Sequence, residues 1–222
     1  MSQHGRLFAI LVLSVATIVS GLAVTRQVIA VTGEVDAERL NRAILDFVGT
    51  KNPQAPIRAF QGFPETLVAE AKQTNIDHCL GLALAEVESE FHHDVVGSAG
   101  EIGLFQILPT TAALFESSVG PFRRPMLAPP MLAPKKRDLG DLAEPTVSTR
   151  FAMAYLRDIL SRKPTIREAL TEYNGGPAGR HPHYYRMVMG AYVEILEHPE
   201  LRCRYQEIPK KPAPLLALLA MI

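Results

Sequence analysis

The stretch "DHCLGLALAEVESEF", residues 77–91, indicates the fold class because its apolar residues recur at helical spacing. Asp77 belongs to the residue types favoured at helix N-caps, where a side-chain oxygen accepts a hydrogen bond from a free backbone N–H. At about 100° per residue, one apolar stripe runs along the helix through Leu80, Leu84, Val87 and Phe91. Such a stripe is buried against other helices, so the segment predicts a core helix of a helical domain.

The same helix carries three glutamates at alternate positions, and they face different directions. From the centre of the apolar stripe, Glu88 lies at about 70°, Glu90 at about 90° and Glu86 at about 130°. Glu88 is the carboxyl nearest the packing seam, where partial burial disfavours the charged form and raises the pKa. A carboxyl with a raised pKa keeps its proton near neutral pH and suits the role of a general acid. Because the angles differ little, periodicity favours Glu88 only slightly.

The rest of the chain also shows helical rather than strand periodicity. Helical spacing or a helix-start signal marks six further segments: residues 35–49, 65–75, 104–115, 146–162, 165–174 and 184–198. No stretch alternates apolar and polar residues as a half-buried strand would. We therefore predict an all-α fold. The proline-containing stretch at residues 50–64 is interpreted as a linker.

The N-terminus contains an uncharged run, residues 7–24, between Arg6 and Arg26. Its length lies between that of a signal-peptide core and that of a membrane span, and the small residues of "SGLA" suit a signal peptidase. Residues 1–30 are therefore expected to be a hydrophobic helix that is either a cleaved signal peptide or a retained membrane anchor. The working part of the chain is expected outside the cytoplasm.

Charge and cysteine content limit the cellular compartments and the classes of partner that fit this sequence. Basic and acidic residues number 23 each, so composition gives no reason to expect a nucleic acid partner. Cys79 and Cys203 fit an oxidising compartment. Two alternatives stay open for them: one disulfide between the start of the glutamate helix and the C-terminal segment, or two unpaired thiols.

Residues 121–137, "PFRRPMLAPPMLAPKKR", contain the tandem repeat PMLAP-PMLAP. Proline at this density excludes a helix, so we expect an extended excursion at the surface. The composition fits either a plain loop or a proline-motif ligand for a partner.

Three motifs set Glu88 apart from the other two glutamates. Residues 88–91 read "ESEF", residues 103–112 read "GLFQILPTTA" and residues 172–176 read "EYNGG". In this order and at these intervals, over about residues 66–196, the chain resembles the soluble lytic transglycosylase family, relatives of goose-type lysozyme. The resemblance implies a lysozyme-like helical domain, preceded here by the hydrophobic N-terminal helix.

The resemblance also implies an activity and its residues. Members of the family cleave the β-1,4 bond between N-acetylmuramic acid and N-acetylglucosamine in peptidoglycan and form a 1,6-anhydro product. By matched position, Glu88 is the general acid and then the base. Tyr173 is expected to hydrogen-bond Glu88, Asn174 to shape the loop beneath it and Ser89 to support the helix end. The saccharide groove is expected to be lined by Ser98, Gly103, Leu104, Phe105 and Gln106, with the ring of Phe105 as a flat face for a sugar.

Organisation, location and partners are expected from the N-terminal run and the resemblance together. The expected parts are a signal peptide or anchor at 1–30, a helix and linker at 31–64, a catalytic domain at 65–200 with the loop 121–137, and a tail at 201–222. The expected location is the periplasm, either anchored in the inner membrane or exported. Expected partners are peptidoglycan glycan strands, the membrane through an uncleaved N-terminal helix, and secretion or envelope machinery.

Two departures from the family pattern leave alternatives open. Gly97 stands where many members have a serine that contacts substrate, and Glu101 adds a negative charge close to Glu88. Glu101 is expected either to raise the pKa of Glu88 or to act as a second carboxylate, which favours hydrolysis by a lysozyme-like muramidase. A catalytically weak wall-binding or secretion-system scaffold is the third reading. No metal or cofactor is expected, because the histidines lack ligand spacing: His92, His93, His181 and His183.

Overall fold

The structure is a computed structural model that describes residues 36–126, 138–179 and 182–204. The hydrophobic helix expected at residues 1–30, the proline-rich stretch from residue 127 to 137 and the tail from residue 205 lie outside the described residues. The chain divides into two compact units, Met1–Asn41 and Arg42–Ile222. The second unit contains the residues of the predicted site.

Regular structure in the described residues is helical, which confirms the predicted all-α class. Within residues 36–126, 138–179 and 182–204, eight α-helices follow one another: α1 at 36–51, α2 Phe63–Thr74, α3 His78–Ser89, α4 Pro109–Ala113, α5 Glu116–Val119, α6 Pro145–Arg162, α7 Ile166–Gly175 and α8 Pro182–Leu196. Three short 3-10 helices lie at Ile57–Phe60, Asp141–Ala143 and Pro199–Leu201. Backbone β-pairing within the described ranges is limited to isolated bridges, such as Val96 with Ile102 and Ile102 with Ile107. None of the helices seen there is long and apolar enough to cross a membrane.

Helix α3 is the central element of the second unit. Every residue from Cys79 to Ala85 is buried, so the helix is enclosed on all sides rather than along one stripe. It packs on α2 and α8, while α6 contacts α2 and α7, and α7 contacts α8. Asp77 caps α3 as expected, since its side chain accepts a hydrogen bond from the backbone N–H of Cys79 (3.1 Å). A carboxyl near the end of this helix is therefore held close to the core.

The helix predicted at residues 104–115 is wrong in its first half. Ile102 and Ile107 exchange backbone hydrogen bonds of 3.0 and 3.2 Å, which close the chain into a tight turn. Gln106, inside this turn, has a positive φ of 46°, which interrupts helical geometry. The helix begins only at Pro109, where the fixed φ of proline suits the first helical turn.

The stretch interpreted as a linker, residues 50–64, packs into the second unit. Phe60 and Phe63 are fully buried, and their rings meet edge to face. The side-chain amide of Asn52 is also buried and donates a hydrogen bond to the carbonyl of Phe91 (3.3 Å). Proline correctly marked a break in helical structure here, but the aromatic residues decide that the segment belongs to the core.

The two cysteines form a disulfide. Cys79 in the first turn of α3 is bonded to Cys203, with 5.6 Å between the Cα atoms. Of the two alternatives left open by the sequence, the structure therefore contains the cross-link between the start of the glutamate helix and the segment after α8. A disulfide that closes so long a loop stabilises a domain chiefly by restricting its unfolded state.

Candidate active site

Glu88 lies in the last turn of α3, where the chain reverses sharply. Glu90 and Phe91 follow with φ angles of 50° and 58°, two consecutive left-handed residues that are not glycine. Each such residue costs on the order of 1 kcal/mol and persists because the surrounding packing holds it. Phe91 is fully buried, which supplies that packing. The reversal ends α3 directly beyond Glu88.

Ser89 links this helix end to the loop that follows. Its hydroxyl lies 2.8 Å from the carbonyl oxygen of Leu104 and 3.1 Å from that of Ala85, and its single proton is donated to one of them. Contact with Leu104 fixes the loop of residues 103–106 against the end of α3. Ser89 is 9% exposed, and its hydroxyl contacts these two backbone carbonyls rather than a histidine that could serve as its base.

The three glutamates of α3 have different environments. Glu86 forms an ion pair with Lys51 (2.8 Å between Nζ and Oε1) and Glu90 is exposed. Glu88 is partly buried, and the hydroxyl of Tyr184 donates a hydrogen bond to its Oε1. Burial raises the pKa of Glu88 to about 7; the hydrogen bond from Tyr184 opposes this rise and the charge of Glu101 adds to it.

The tyrosine that contacts Glu88 is Tyr184, and the sequence-based assignment of this bond to Tyr173 is wrong. The hydroxyl of Tyr173 donates to the carbonyl oxygen of Phe105 (3.2 Å), so its only proton is directed elsewhere. Tyr173 is still a near neighbour, because the charge of Glu88 contributes to raising the pKa of this phenol, after burial. Burial and the charge of Glu88 likewise raise the pKa of Tyr184 well above its ordinary value, so both phenols remain proton donors.

The residues expected in the groove divide into two groups. Gly103, Leu104 and Phe105 are buried, and the side chains of Leu104 and Phe105 have no exposed surface. The expectation that the ring of Phe105 is a flat face for a sugar is therefore wrong: the ring is a core side chain. Gln106 is partly exposed and Ser98 is exposed.

Gln106 is held by its own loop. Its side-chain amide donates to the carbonyl of Gly103 (2.9 Å), and its backbone N–H donates to the same oxygen (3.1 Å). The positive φ of Gln106 therefore belongs to a closed turn with a defined side-chain position. Asn174, expected to shape the loop beneath Glu88, is exposed in the last turn of α7.

Gly97 and Glu101 are coupled by their geometry. A Cβ atom added to Gly97 would lie 2.4 Å from Oε2 of Glu101 and 2.7 Å from Oε1 of Gln106. The carboxylate of Glu101 thus fills the space that a side chain at position 97 would occupy. It is held there by the backbone N–H of Ala99, which donates to Oε2 (3.0 Å). The two departures noted in the sequence, Gly97 and Glu101, are therefore linked: the carboxylate of Glu101 takes the place of a side chain at position 97.

Metal-ligand geometry in the described ranges is confined to one group, Asp77, His78 and Cys79. The sulfur of Cys79 is bonded to Cys203 and is not a free ligand. One ring nitrogen of His92 lies 2.9 Å from the carbonyl of Ser89.

Comparison with known proteins assigns the chain to a family. The sequence model described as "Transglycosylase SLT domain" matches residues 65–182. The lytic transglycosylase Slt of Pseudomonas aeruginosa, solved as an inactive mutant, has 24% identity and a TM-score of 0.46, with 64% of this chain and 25% of that chain covered. The 70 kDa soluble lytic transglycosylase of Escherichia coli has 21% identity and a TM-score of 0.41, with 75% and 27% covered. Among curated protein sequences, none matches significantly.

This chain spans about a quarter of the length of those two solved proteins. The family match, in contrast, covers more than half of its 222 residues and includes Glu88, the loop at 103–106 and the segment 172–176. The chain belongs to the transglycosylase SLT domain family.

Proposed function

We propose that the protein is a peptidoglycan lytic transglycosylase that cleaves the β-1,4 bond between N-acetylmuramic acid and N-acetylglucosamine. The observation that carries this proposal is the state of Glu88. Its pKa is raised to about 7, and the carboxyl is partly buried and oriented by Tyr184. A carboxyl that releases and regains its proton near neutral pH can act as acid and base in one cycle.

The reaction needs only one carboxyl. Protonated Glu88 donates its proton to the glycosidic oxygen as the bond from that oxygen to C1 of the muramoyl sugar breaks. The resulting carboxylate removes the proton from the 6-hydroxyl, whose oxygen attacks C1 and closes the 1,6-anhydro ring. Glu88 is protonated again at the end, so the cycle consumes no water and no external base. Most glycosidases instead use two carboxyl groups.

Glu101 supports a second candidate, a lysozyme-like muramidase. Its charge acts on Glu88, and its carboxylate and the side-chain oxygen of Gln106 both border the space at Gly97. A carboxylate in such a place can orient a water molecule toward the reacting carbon, which yields a hydrolytic product. A wall-binding scaffold with weak catalysis is the remaining alternative, since the saccharide groove expected from the resemblance would hold glycan strands without turnover.

Location follows from the substrate. Peptidoglycan lies outside the cytoplasm, and the disulfide between Cys79 and Cys203 suits an oxidising compartment. We place the enzyme in the periplasm, with residues 1–30 as its signal peptide or anchor. Envelope or secretion machinery is the proposed partner class. Fractionation of cells that express the full chain tests the anchor: recovery of the protein in the soluble periplasmic fraction would exclude it.

The activity is tested with purified sacculi and mass spectrometry of the released muropeptides. A lytic transglycosylase releases anhydro products, which are lighter than the hydrolytic products by one water. Hydrolytic products from the full-length chain would replace the leading proposal by the muramidase, and release of no product would favour the scaffold. Glu88→Gln is the inactive comparison and Glu90→Gln is its matched control, because Glu90 is exposed on the same helix end.

A further inference from the structure

Helix α8 is fastened to α3 at the end of α3 remote from Glu88. Asp77 accepts hydrogen bonds from the hydroxyl of Tyr192 (2.7 Å) and from the backbone N–H of Arg204 (2.9 Å), in addition to its capping bond. One ring nitrogen of His78 lies 2.8 Å from the carbonyl oxygen of Leu201. Beside these contacts, the disulfide joins Cys79 to the segment that follows α8. We name Asp77, Tyr192 and the disulfide together the clamp.

The other end of the same helix pair carries the candidate chemistry. Tyr184 lies in the first turn of α8, and Glu88 lies in the last turn of α3. At 1.5 Å per residue, Cys79 and Glu88 are separated by roughly 13 Å along the axis of α3. The clamp therefore does not touch the reacting groups, and whatever it does to Glu88 is transmitted through two helices.

We propose that Asp77, Tyr192 and the Cys79–Cys203 disulfide are positioning residues, which hold α8 against α3 so that Tyr184 meets Glu88 and excludes water from it. The proposal rests on the proposed function of Glu88. Its physical basis is that packed, rigid helices transmit a constraint along their length, so fixing one end of the pair helps to fix the contact at the other end. These helices also pack directly on each other, and Lys51 bridges them through ion pairs with Glu86 and with Glu194. Glu194 is 56% exposed, and exposed ion pairs contribute little.

The groups around Glu88 predict opposite changes in its pKa for a loosened clamp and for loss of the Tyr184 hydroxyl. Tyr184 from α8 and Glu101 from the loop after α3 act on the pKa of Glu88, and Glu88 in turn raises the pKa of its neighbour Tyr173 from α7. Burial raises the pKa of Glu88 and the bond from Tyr184 lowers it. Loosening the clamp admits water and removes the effect of burial, which is the larger of the two, so the pKa of Glu88 falls. Removing only the hydroxyl of Tyr184 leaves the burial in place, so the pKa rises.

The test compares the full-length oxidised chain with Cys79→Ala/Cys203→Ala, with Tyr192→Phe and with the reduced, alkylated wild type. The control is Tyr185→Phe, since Tyr185 is on α8 and its ring packs under Arg167 (5.0 Å) instead of near Glu88. We expect kcat to fall by about 10- to 100-fold in the clamp variants, as for small misplacements of reacting groups, with KM changed by less than about twofold. The alkaline limb of the pH profile should move to lower pH.

A second measurement is independent of turnover. The titration of the Glu88 carboxyl is followed by NMR in protein labelled with ¹³C at glutamate, with Glu88→Gln to assign the signal. The wild type should titrate near 7, and each folded clamp variant should titrate at least about one unit lower. Variants that lose thermal stability but keep the wild-type titration midpoint and kcat would overturn the proposal, because the clamp would then only stabilise the fold.

The two proposals fail in different ways. A wild type that releases no product but shows a midpoint near 7, lowered in the clamp variants, would refute the enzymatic function and keep the clamp. A wild type that cleaves peptidoglycan equally well in oxidised and reduced form, with an unchanged titration midpoint, would keep the enzyme and refute the clamp. If the double cysteine variant does not fold, Tyr192→Phe decides, because it deletes one oxygen and retains the ring.

Discussion

The hydroxyl of Tyr184 donates a hydrogen bond to Oε1 of Glu88 and joins the first turn of α8 to the last turn of α3. The two residues are 96 positions apart in the chain. The bond orients the carboxyl, and the surrounding burial keeps its proton near neutral pH. Because orientation and burial act on the same carboxyl group, Glu88 is suited to be both the acid and the base of the proposed reaction.

Glu88→Gln should abolish release of muropeptides, because an amide neither donates an acidic proton nor accepts one from the 6-hydroxyl. Loss of a general acid and base reduces rates by at least about 10²- to 10⁴-fold. The measurement is the rate of product release from sacculi, with Glu90→Gln as the control that retains activity. Wild-type rates in Glu88→Gln would remove this residue from the mechanism.

The pH dependence of kcat/KM should show one alkaline limb with a midpoint near 7, since the free enzyme must carry the proton on Glu88. Below the midpoint the rate stays level, and well above it the rate falls about tenfold per pH unit. Tyr184→Phe removes the hydrogen bond that lowers this pKa, so the limb should move to higher pH. Tyr185→Phe should leave the limb in place. A limb that does not respond to Tyr184→Phe contradicts the assigned contact.

Glu101→Gln should move the same limb to lower pH. The carboxylate of Glu101 raises the pKa of Glu88 by its charge, and glutamine removes that charge while it retains an oxygen to accept from Ala99. The products of Glu101→Gln distinguish a lytic transglycosylase from a muramidase. In a transglycosylase the anhydro product persists in Glu101→Gln, whereas in a muramidase that depends on Glu101 the product release falls strongly. Mass spectrometry of the products gives the answer.

Glu88→Gln should also stabilise the fold, but only at higher pH. Below the ordinary value of 4.5, the carboxyl is protonated in both the folded and the unfolded chain, so it adds no pH-dependent cost. Between 4.5 and about 7 the unfolded chain releases the proton first, and the free energy of unfolding of the wild type falls as pH rises. Above that range the variant should be more stable by about 1–3 kcal/mol, and equal to the wild type at pH 4. Urea unfolding at pH 4 and at a pH above about 7 measures this difference. An equal gain in the free energy of unfolding at the two pH values would contradict the raised pKa.

Gly103→Ala should destabilise the protein far more than Gly97→Ala. Gly103 has a φ of 79°, and an added Cβ would lie 2.1 Å from the carbonyl oxygen of Leu142, a backbone atom that cannot easily move. We expect a loss of about 2–4 kcal/mol. At Gly97 the obstructing atoms are the mobile ends of the Glu101 and Gln106 side chains, so the expected loss is below about 1 kcal/mol. Thermal unfolding of the two variants measures these losses of stability, and a larger loss in Gly97→Ala would contradict the prediction.

Local pattern was enough for the helical class and for the cap at Asp77, whereas it favoured Glu88 among the three glutamates only slightly. These depend on spacings of three or four residues, which a helix converts directly into faces. The resemblance to a known family selected the same glutamate from motifs, and the family match confirms that membership. Periodicity failed at residues 104–107, because a turn closed by Ile102 and Ile107 overrides the helical spacing.

Only the tertiary structure decided which groups surround that glutamate. Tyr184 and Tyr185 are adjacent and equivalent in sequence, yet one contacts Glu88 and the other packs against Arg167. In the same way, the burial of the Phe105 ring and the space shared by Gly97 and Glu101 depend on contacts between separate elements. Helix identity is a property of neighbouring residues, whereas the environment of a carboxyl is the sum of contacts from distant segments, and these exist only once the helices have packed.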